Sequence, residues 1–69
     1  PQYLLLAVDA LKKAQLISPT DPRLPYNLGI VYKYLGDATT SAKLMRDSLS
    51  LKPDFADAQK QLQELTPLW

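Results

Sequence analysis

The 69-residue chain carries few side chains that could do chemistry. It contains neither cysteine nor histidine, so a thiolate nucleophile, an imidazole general base and the soft metal ligands are missing. Its seven acidic residues are scattered over predicted helix starts and exposed helix faces, and no two share a predicted buried face. A glycine-rich phosphate loop is also missing. We therefore expect no enzymatic activity, no metal site and no cofactor.

The charge and hydropathy of the chain exclude two further classes of function. Eight basic residues balance seven acidic ones, for a net charge of +1, whereas nucleic-acid binding normally needs a basic patch. The apolar run at residues 3–8 is far shorter than the roughly 20 residues of a membrane span. Because the chain begins inside a predicted helix, we expect it to be part of a longer protein. The sequence does not indicate a cellular compartment.

The order of helix formers, caps and breakers predicts four helices and no strand. Residues 2–17 lack glycine and proline, and Ser18-Pro19 should end this first helix. Asp21-Pro22 should start the second, although Pro25 removes a backbone donor and should loosen or shift that start. The remaining helix boundaries are predicted from single residues: Gly36 as a left-handed end, Asp37 as the cap of a third helix to about residue 50, and Asp54 as the cap of a fourth to about residue 65.

Residues of matching type recur 34 residues apart, which is the separation of Pro19 and Pro53. The other matched pairs are Leu11 with Met45, Ala14 with Ser48, Ile17 with Leu51, Leu28 with Leu62 and Val31 with Leu65. A fixed period in this range is typical of repeats that stack and bury their apolar faces against their neighbours.

The segment from Pro25 to Pro53 resembles the tetratricopeptide repeat, a 34-residue helix–turn–helix unit. Three of its pattern positions hold Leu28, Gly29 and Tyr32, and the closing proline is Pro53. The chain departs from the pattern at Pro25, Ser41 and Met45. The resemblance implies an all-α fold, a short right-handed superhelix of stacked antiparallel hairpins. It would contain the second helix of a partial repeat (2–17), a full repeat (22–55) and a closing helix (56–66), with Gly29 and Ser41 at a close crossing of two helices.

The resemblance also implies a concave groove that holds a segment of another protein, as in a scaffold or adaptor. Its lining would be Arg23, Tyr26, Asn27, Ile30, Lys33 and Tyr34 from the second helix and Asp57, Lys60, Gln61 and Glu64 from the fourth. Tyr26, Ile30 and Tyr34 recur at four-residue steps, and aromatic residues are enriched in interfaces. The alternative is that both tyrosines rest on neighbouring helices and that Asn27 is merely solvated. A clamp for a terminal carboxylate is not expected, because Ile30 and Asp57 interrupt it.

A second candidate surface lies on the first helix. Leu4, Leu5 and Val8 would form an apolar patch through which the chain packs on copies of itself or on the rest of its parent protein. The alternative is that a preceding repeat covers them. The role of Leu68-Trp69 stays open.

Overall fold

The computed structural model describes residues 2–65, which form four α-helices. They are α1 (Gln2–Ile17), α2 (Arg23–Tyr34), α3 (Ala38–Leu51) and α4 (Ala56–Leu65). Most tertiary contacts join consecutive helices, α1 to α2, α2 to α3 and α3 to α4. Residues 2–65 contain no strand, so the predicted all-α class with four packed helices is confirmed. Leu68-Trp69 lies outside the described residues.

The turn between α2 and α3 depends on Gly36. This glycine has a φ of 86° and is the one described residue with a left-handed backbone. Its N–H donates to the carbonyl of Lys33 at 3.1 Å, and the N–H of Asp37 donates to the carbonyl of Tyr32 at 2.9 Å. These two bonds form a Schellman motif, which satisfies carbonyls that the end of a helix leaves free. The predicted role of Gly36 is confirmed.

Asp37 begins α3 as a side-chain cap, as predicted. Its carboxylate accepts hydrogen bonds from the backbone N–H of Thr40 at 3.0 Å and from the Thr40 hydroxyl at 2.6 Å. Bonds to the charged form favour that form. They hold the pKa of Asp37 below its ordinary value of 3.8.

The start of α2 is shifted by its two prolines, as expected. The helix begins at Arg23, with Pro22 in the cap position. Because Pro25 has no N–H, Leu24 donates to the carbonyl of Asp21 at 3.2 Å in a tighter turn. The Asp21 carboxylate accepts the N–H of Arg23 at 3.0 Å and so supports this start from one residue before the cap.

The predicted cap of α4 is wrong, although its predicted start is not. The helix begins at Ala56, as the range 56–66 implied, and Phe55, not Asp54, directly precedes it. Asp54 lies in the preceding turn, which the N–H of Phe55 closes by donating to the carbonyl of Lys52 at 3.1 Å.

The turns that follow α1 and α3 have the same backbone hydrogen bonds at equivalent positions of the sequence period. The donor and acceptor residues are Ser18 to Ala14 (2.9 Å) and Asp21 to Ser18 (3.2 Å) after α1, and Lys52 to Ser48 (3.0 Å) and Phe55 to Lys52 (3.1 Å) after α3. The two helices also end at equivalent positions, Ile17 and Leu51. The sequence period therefore corresponds to a repeated local geometry.

The contact between α2 and α3 is the centre of the core. A Cβ built on Gly29 would lie 2.7 Å from Cε of Met45, whose side chain is fully buried. The buried hydroxyl of Ser41 donates to the carbonyl of Gly29 at 2.6 Å, and that of Ser48 to the carbonyl of Pro22 at 2.7 Å. Gly29 and Ser41 thus lie at a close helix crossing, which confirms their predicted position.

Candidate protein-binding groove

A depression of about 510 Å³ opens between the start of α2 and the start of α4. Its lining combines residues of both helix starts with residues of the turn after α3. They are Asp21, Pro22, Arg23, Tyr26, Asn27, Lys52, Phe55 and Asp57. We call this surface the groove.

The groove contains a pair of aromatic rings. The centroids of Tyr26 and Phe55 are 5.0 Å apart and their planes are tilted by 41°, which is favourable for aromatic pairs. The ammonium of Lys52 lies 5.6 Å from the Phe55 centroid, within cation–π distance. Burial raises the pKa of the Tyr26 hydroxyl, and the charges of Asp57 and Glu64 raise it further.

The polar edge of the groove contains one fixed pair and one side chain that is free to bind. Arg23 binds the Asp21 carboxylate through Nη2 at 2.8 Å and Nε at 3.1 Å. This side-chain bond, followed by the bond from the Arg23 backbone N–H, lowers the pKa of Asp21. The side-chain amide of Asn27 is exposed and makes no hydrogen bond to any other residue of the range 2–65. Asn27 is therefore free to bind an external polar group.

Farther along α2, polar bonds connect it to α4. The ammonium of Lys33 donates to Oε1 of Gln61 at 3.2 Å and lies 3.8 Å from Oε2 of Glu64. Exposed ion pairs of this kind contribute about 0–1 kcal/mol. These contacts link α4 to α2. They also occupy the Lys33 ammonium and the Gln61 side-chain oxygen with each other.

The structure brings together only part of the set predicted to line the groove. The predicted residues that do line it are Arg23, Tyr26, Asn27 and Asp57. The others do not line the depression: Ile30 and Gln61 are half-buried, Lys33, Lys60 and Glu64 are exposed, and Tyr34 is 71% exposed. The alternative that both tyrosines rest on neighbours holds for Tyr26 alone, since its ring packs on Phe55.

Four lining residues were missing from the predicted set: Asp21 and Pro22 before α2, and Lys52 and Phe55 in the turn that follows α3. The prediction considered only helix faces, and all four residues lie in or beside a turn. The repeated turn was visible in the sequence, because Pro53 stands one full period after Pro19. This repeated proline indicates that the turn after α3 packs next to the start of α4, as the turn after α1 packs next to the start of α2.

The predicted apolar patch on α1 is partly wrong. Val8 is only 9% exposed and belongs to the core, at the position equivalent to buried Ala42. Leu4 is half-buried, and only Leu5 is well exposed, at 60%. The other exposed large apolar residues of α1, Tyr3, Leu6, Leu16 and Ile17, were not predicted to form a surface.

The described part of the chain has no group of three acidic, histidine or cysteine side chains placed to hold a metal ion. None of its helices combines the length and the hydropathy needed to cross a membrane. No family model, curated protein or solved structure matches the chain.

Proposed function

We propose that the chain is a protein-interaction module of tetratricopeptide type, which docks a segment of a partner protein in the groove. The repeated turn geometry, the Gly29–Ser41 crossing and the Gly36–Asp37 turn support the relationship to that family. Docking would use a preformed surface, because the groove is built on helix starts held by the bond from Arg23 N–H to Asp21 and by the packing of Tyr26 on Phe55.

The main support for the proposed function is the groove. It offers an aromatic surface for an apolar side chain and, beside it, an amide that can both donate to and accept from a peptide backbone. Its charges are balanced, with Arg23 and Lys52 against Asp21 and Asp57. We therefore expect a largely uncharged peptide with one large apolar residue.

The first prediction tests this site with peptides selected from a random displayed library on the immobilised chain. An enriched peptide is then titrated into labelled protein by NMR. We expect its shift changes to centre on Tyr26, Asn27 and Phe55. Asn27→Ala should weaken binding about tenfold, because one or two hydrogen bonds between uncharged groups are lost. The substitution favours helix formation, so the fold is retained.

Two matched variants control for nonspecific effects. Gln63→Ala removes an exposed amide from α4 outside the groove, and Tyr34→Ala removes an exposed ring of α2 outside it. Both should bind as the wild type does. Selection of no peptide, or equal weakening by Asn27→Ala and Gln63→Ala, would contradict the proposed site.

A further inference from the structure

The outer face of α1 exposes a row of large apolar side chains. Leu5 is 60%, Leu6 69%, Leu16 85% and Ile17 84% exposed. Leu5 and Leu6, with Gln2 and Asp9, border a shallow depression of about 310 Å³. We propose that this outer face binds the same face of a second copy of the chain, with the two α1 helices antiparallel. This proposal is independent of the groove.

Packing between neighbouring repeats does not explain why these residues are apolar. Three of the four equivalent positions of α3, one sequence period later, are polar: Thr39 and Thr40 correspond to Leu5 and Leu6, and Ser50 corresponds to Leu16. The fourth, Leu51, corresponds to Ile17 and is itself 41% exposed. A repeat thus needs no apolar side chain at the positions of Leu5, Leu6 and Leu16.

A preceding repeat would also cover a different face of α1. The buried residues of α3 at its crossing with α2 are Ser41, Met45 and Ser48, and their equivalents on α1 are Ala7, Leu11 and Ala14. Those three are half-buried and point away from the outer face. The outer face would therefore stay open beside such a repeat.

The spacing on the outer face is that of an antiparallel helix pair. Gln2, Leu6, Asp9, Lys13 and Leu16 follow each other at steps of four and three residues, which makes one continuous seam with Leu6 and Leu16 as its apolar members and a charged centre. When two such helices run antiparallel about the level of residue 11, Leu6 lies opposite Leu16 of the second copy. The same contact occurs twice, since the pair has two-fold symmetry.

The charges of the seam select this orientation. Asp9 and Lys13 form an exposed ion pair at 3.1 Å within the helix. In the antiparallel arrangement, Asp9 lies opposite Lys13 of the second copy, so both copies gain an attractive contact. In a parallel arrangement, Asp9 would face Asp9 and Lys13 would face Lys13. Like charges in such positions disfavour the parallel pair.

The length of the seam limits the affinity of the dimer. A helix of 16 residues is about 24 Å long, so one face buries less than the roughly 800 Å² per partner of a standard interface. We therefore expect a dimer that forms at micromolar to millimolar concentration. Since the contact is isologous, it closes at two copies and does not extend into a filament.

The second prediction tests this dimer by sedimentation equilibrium of the full chain over a wide concentration range. The wild type should pass from monomer to dimer, and Leu6→Asp should raise the dissociation constant at least about tenfold, because a carboxylate replaces the apolar contact twice. Thr39→Asp, at an exposed position in the first turn of α3, should leave the constant unchanged. A wild type that stays monomeric at millimolar concentration overturns the proposal, as does equal weakening by both variants.

Cross-linking determines the orientation, because the chain contains no cysteine of its own. Chains with Leu6→Cys and chains with Leu16→Cys are mixed under mild oxidation. The antiparallel pair should give the mixed disulfide and little cross-linking of Leu6→Cys chains alone. Efficient cross-linking of Leu6→Cys to itself, or none in the mixture, contradicts the arrangement. Both substitutions are at exposed sites, and circular dichroism verifies that the helices are retained.

Discussion

The two glycines of the chain are required for different physical reasons. Gly29 is needed for its size, because any Cβ there would meet the buried end of Met45 at 2.7 Å and the carbonyl of Ser41 at 3.3 Å. Gly36 is needed for its backbone, because a Cβ there would meet nothing within 4 Å while its φ is +86°. One residue type thus serves a packing role at a helix crossing and a conformational role at a helix end.

The third prediction separates these two roles by substitution. Gly29→Ala gains about 1 kcal/mol of helix propensity but overpacks a filled crossing, which costs about 1–3 kcal/mol, so the chain should lose about 1 kcal/mol. Gly29→Val should lose more. At Gly36, Ala should cost about 1 kcal/mol and Asn less, because Asn tolerates the left-handed region. Urea denaturation measures all four. A stabilised Gly29→Ala variant would show that Met45 yields without cost.

At the scale of elements, the sequence predicted helix ends best where one residue decides the boundary. Residues 2–17 were predicted as a helix and form one, and Gly36 and Asp37 end and begin their helices as expected. The range 56–66 gave the start of α4 correctly, but its cap was misassigned, because Asp54 lies in the turn that the N–H of Phe55 closes on the carbonyl of Lys52. A local capping signal misleads where the residue belongs to a preceding turn.

The fourth prediction concerns acid and the start of α3. The pKa of Asp37 is lower in the folded chain than its ordinary value of 3.8. Its contribution to stability is therefore fully present above pH 3.8 and is lost as the pH falls through the lower folded pKa. Asp37→Asn keeps the cap but removes the titrating group, so its stability should fall less between pH 5 and pH 2.

Thermal unfolding at a series of pH values measures this difference. Asp21 has a pKa lowered in the same direction, so the Asn variant should retain part of the acid sensitivity. Asp47→Asn, an exposed change on the same helix that leaves the Asp37 cap intact, serves as the control and should follow the wild-type profile. Identical profiles for wild type and Asp37→Asn would contradict the role of the cap.

At the scale of the whole molecule, each helix is supported chiefly by its neighbours in sequence. Such chains behave as one-dimensional arrays, in which the inner members are held from both sides. The sequence period made this order predictable. The groove was predicted only in part. The approach of Phe55 to Tyr26 depends on the angle at which α4 packs, and that angle cannot be read from the type of any single residue. The burial of Val8 was missed although the sequence period pairs it with Ala42, which is also buried.

The fifth prediction follows from this order of support. Backbone amides near Gly29 and Met45, in the middle of α2 and α3, should exchange with deuterium most slowly, at a rate set by global unfolding. Amides of α1 and α4 should exchange faster through local opening, because each has a neighbouring helix mainly on one side. Native-state exchange followed by NMR measures this. Protection of α1 equal to that of α3 would contradict the prediction, unless the outer-face dimer were present, so the measurement is made on Leu6→Asp.

The two corresponding turns are closed by backbone atoms, while their side chains differ: Ser18 and Thr20 occupy places that Lys52 and Asp54 occupy in the next unit. The same backbone bonds therefore form beneath different exposed side chains. Substitutions at these turn positions can change the surface of the chain while the turn keeps its hydrogen bonds.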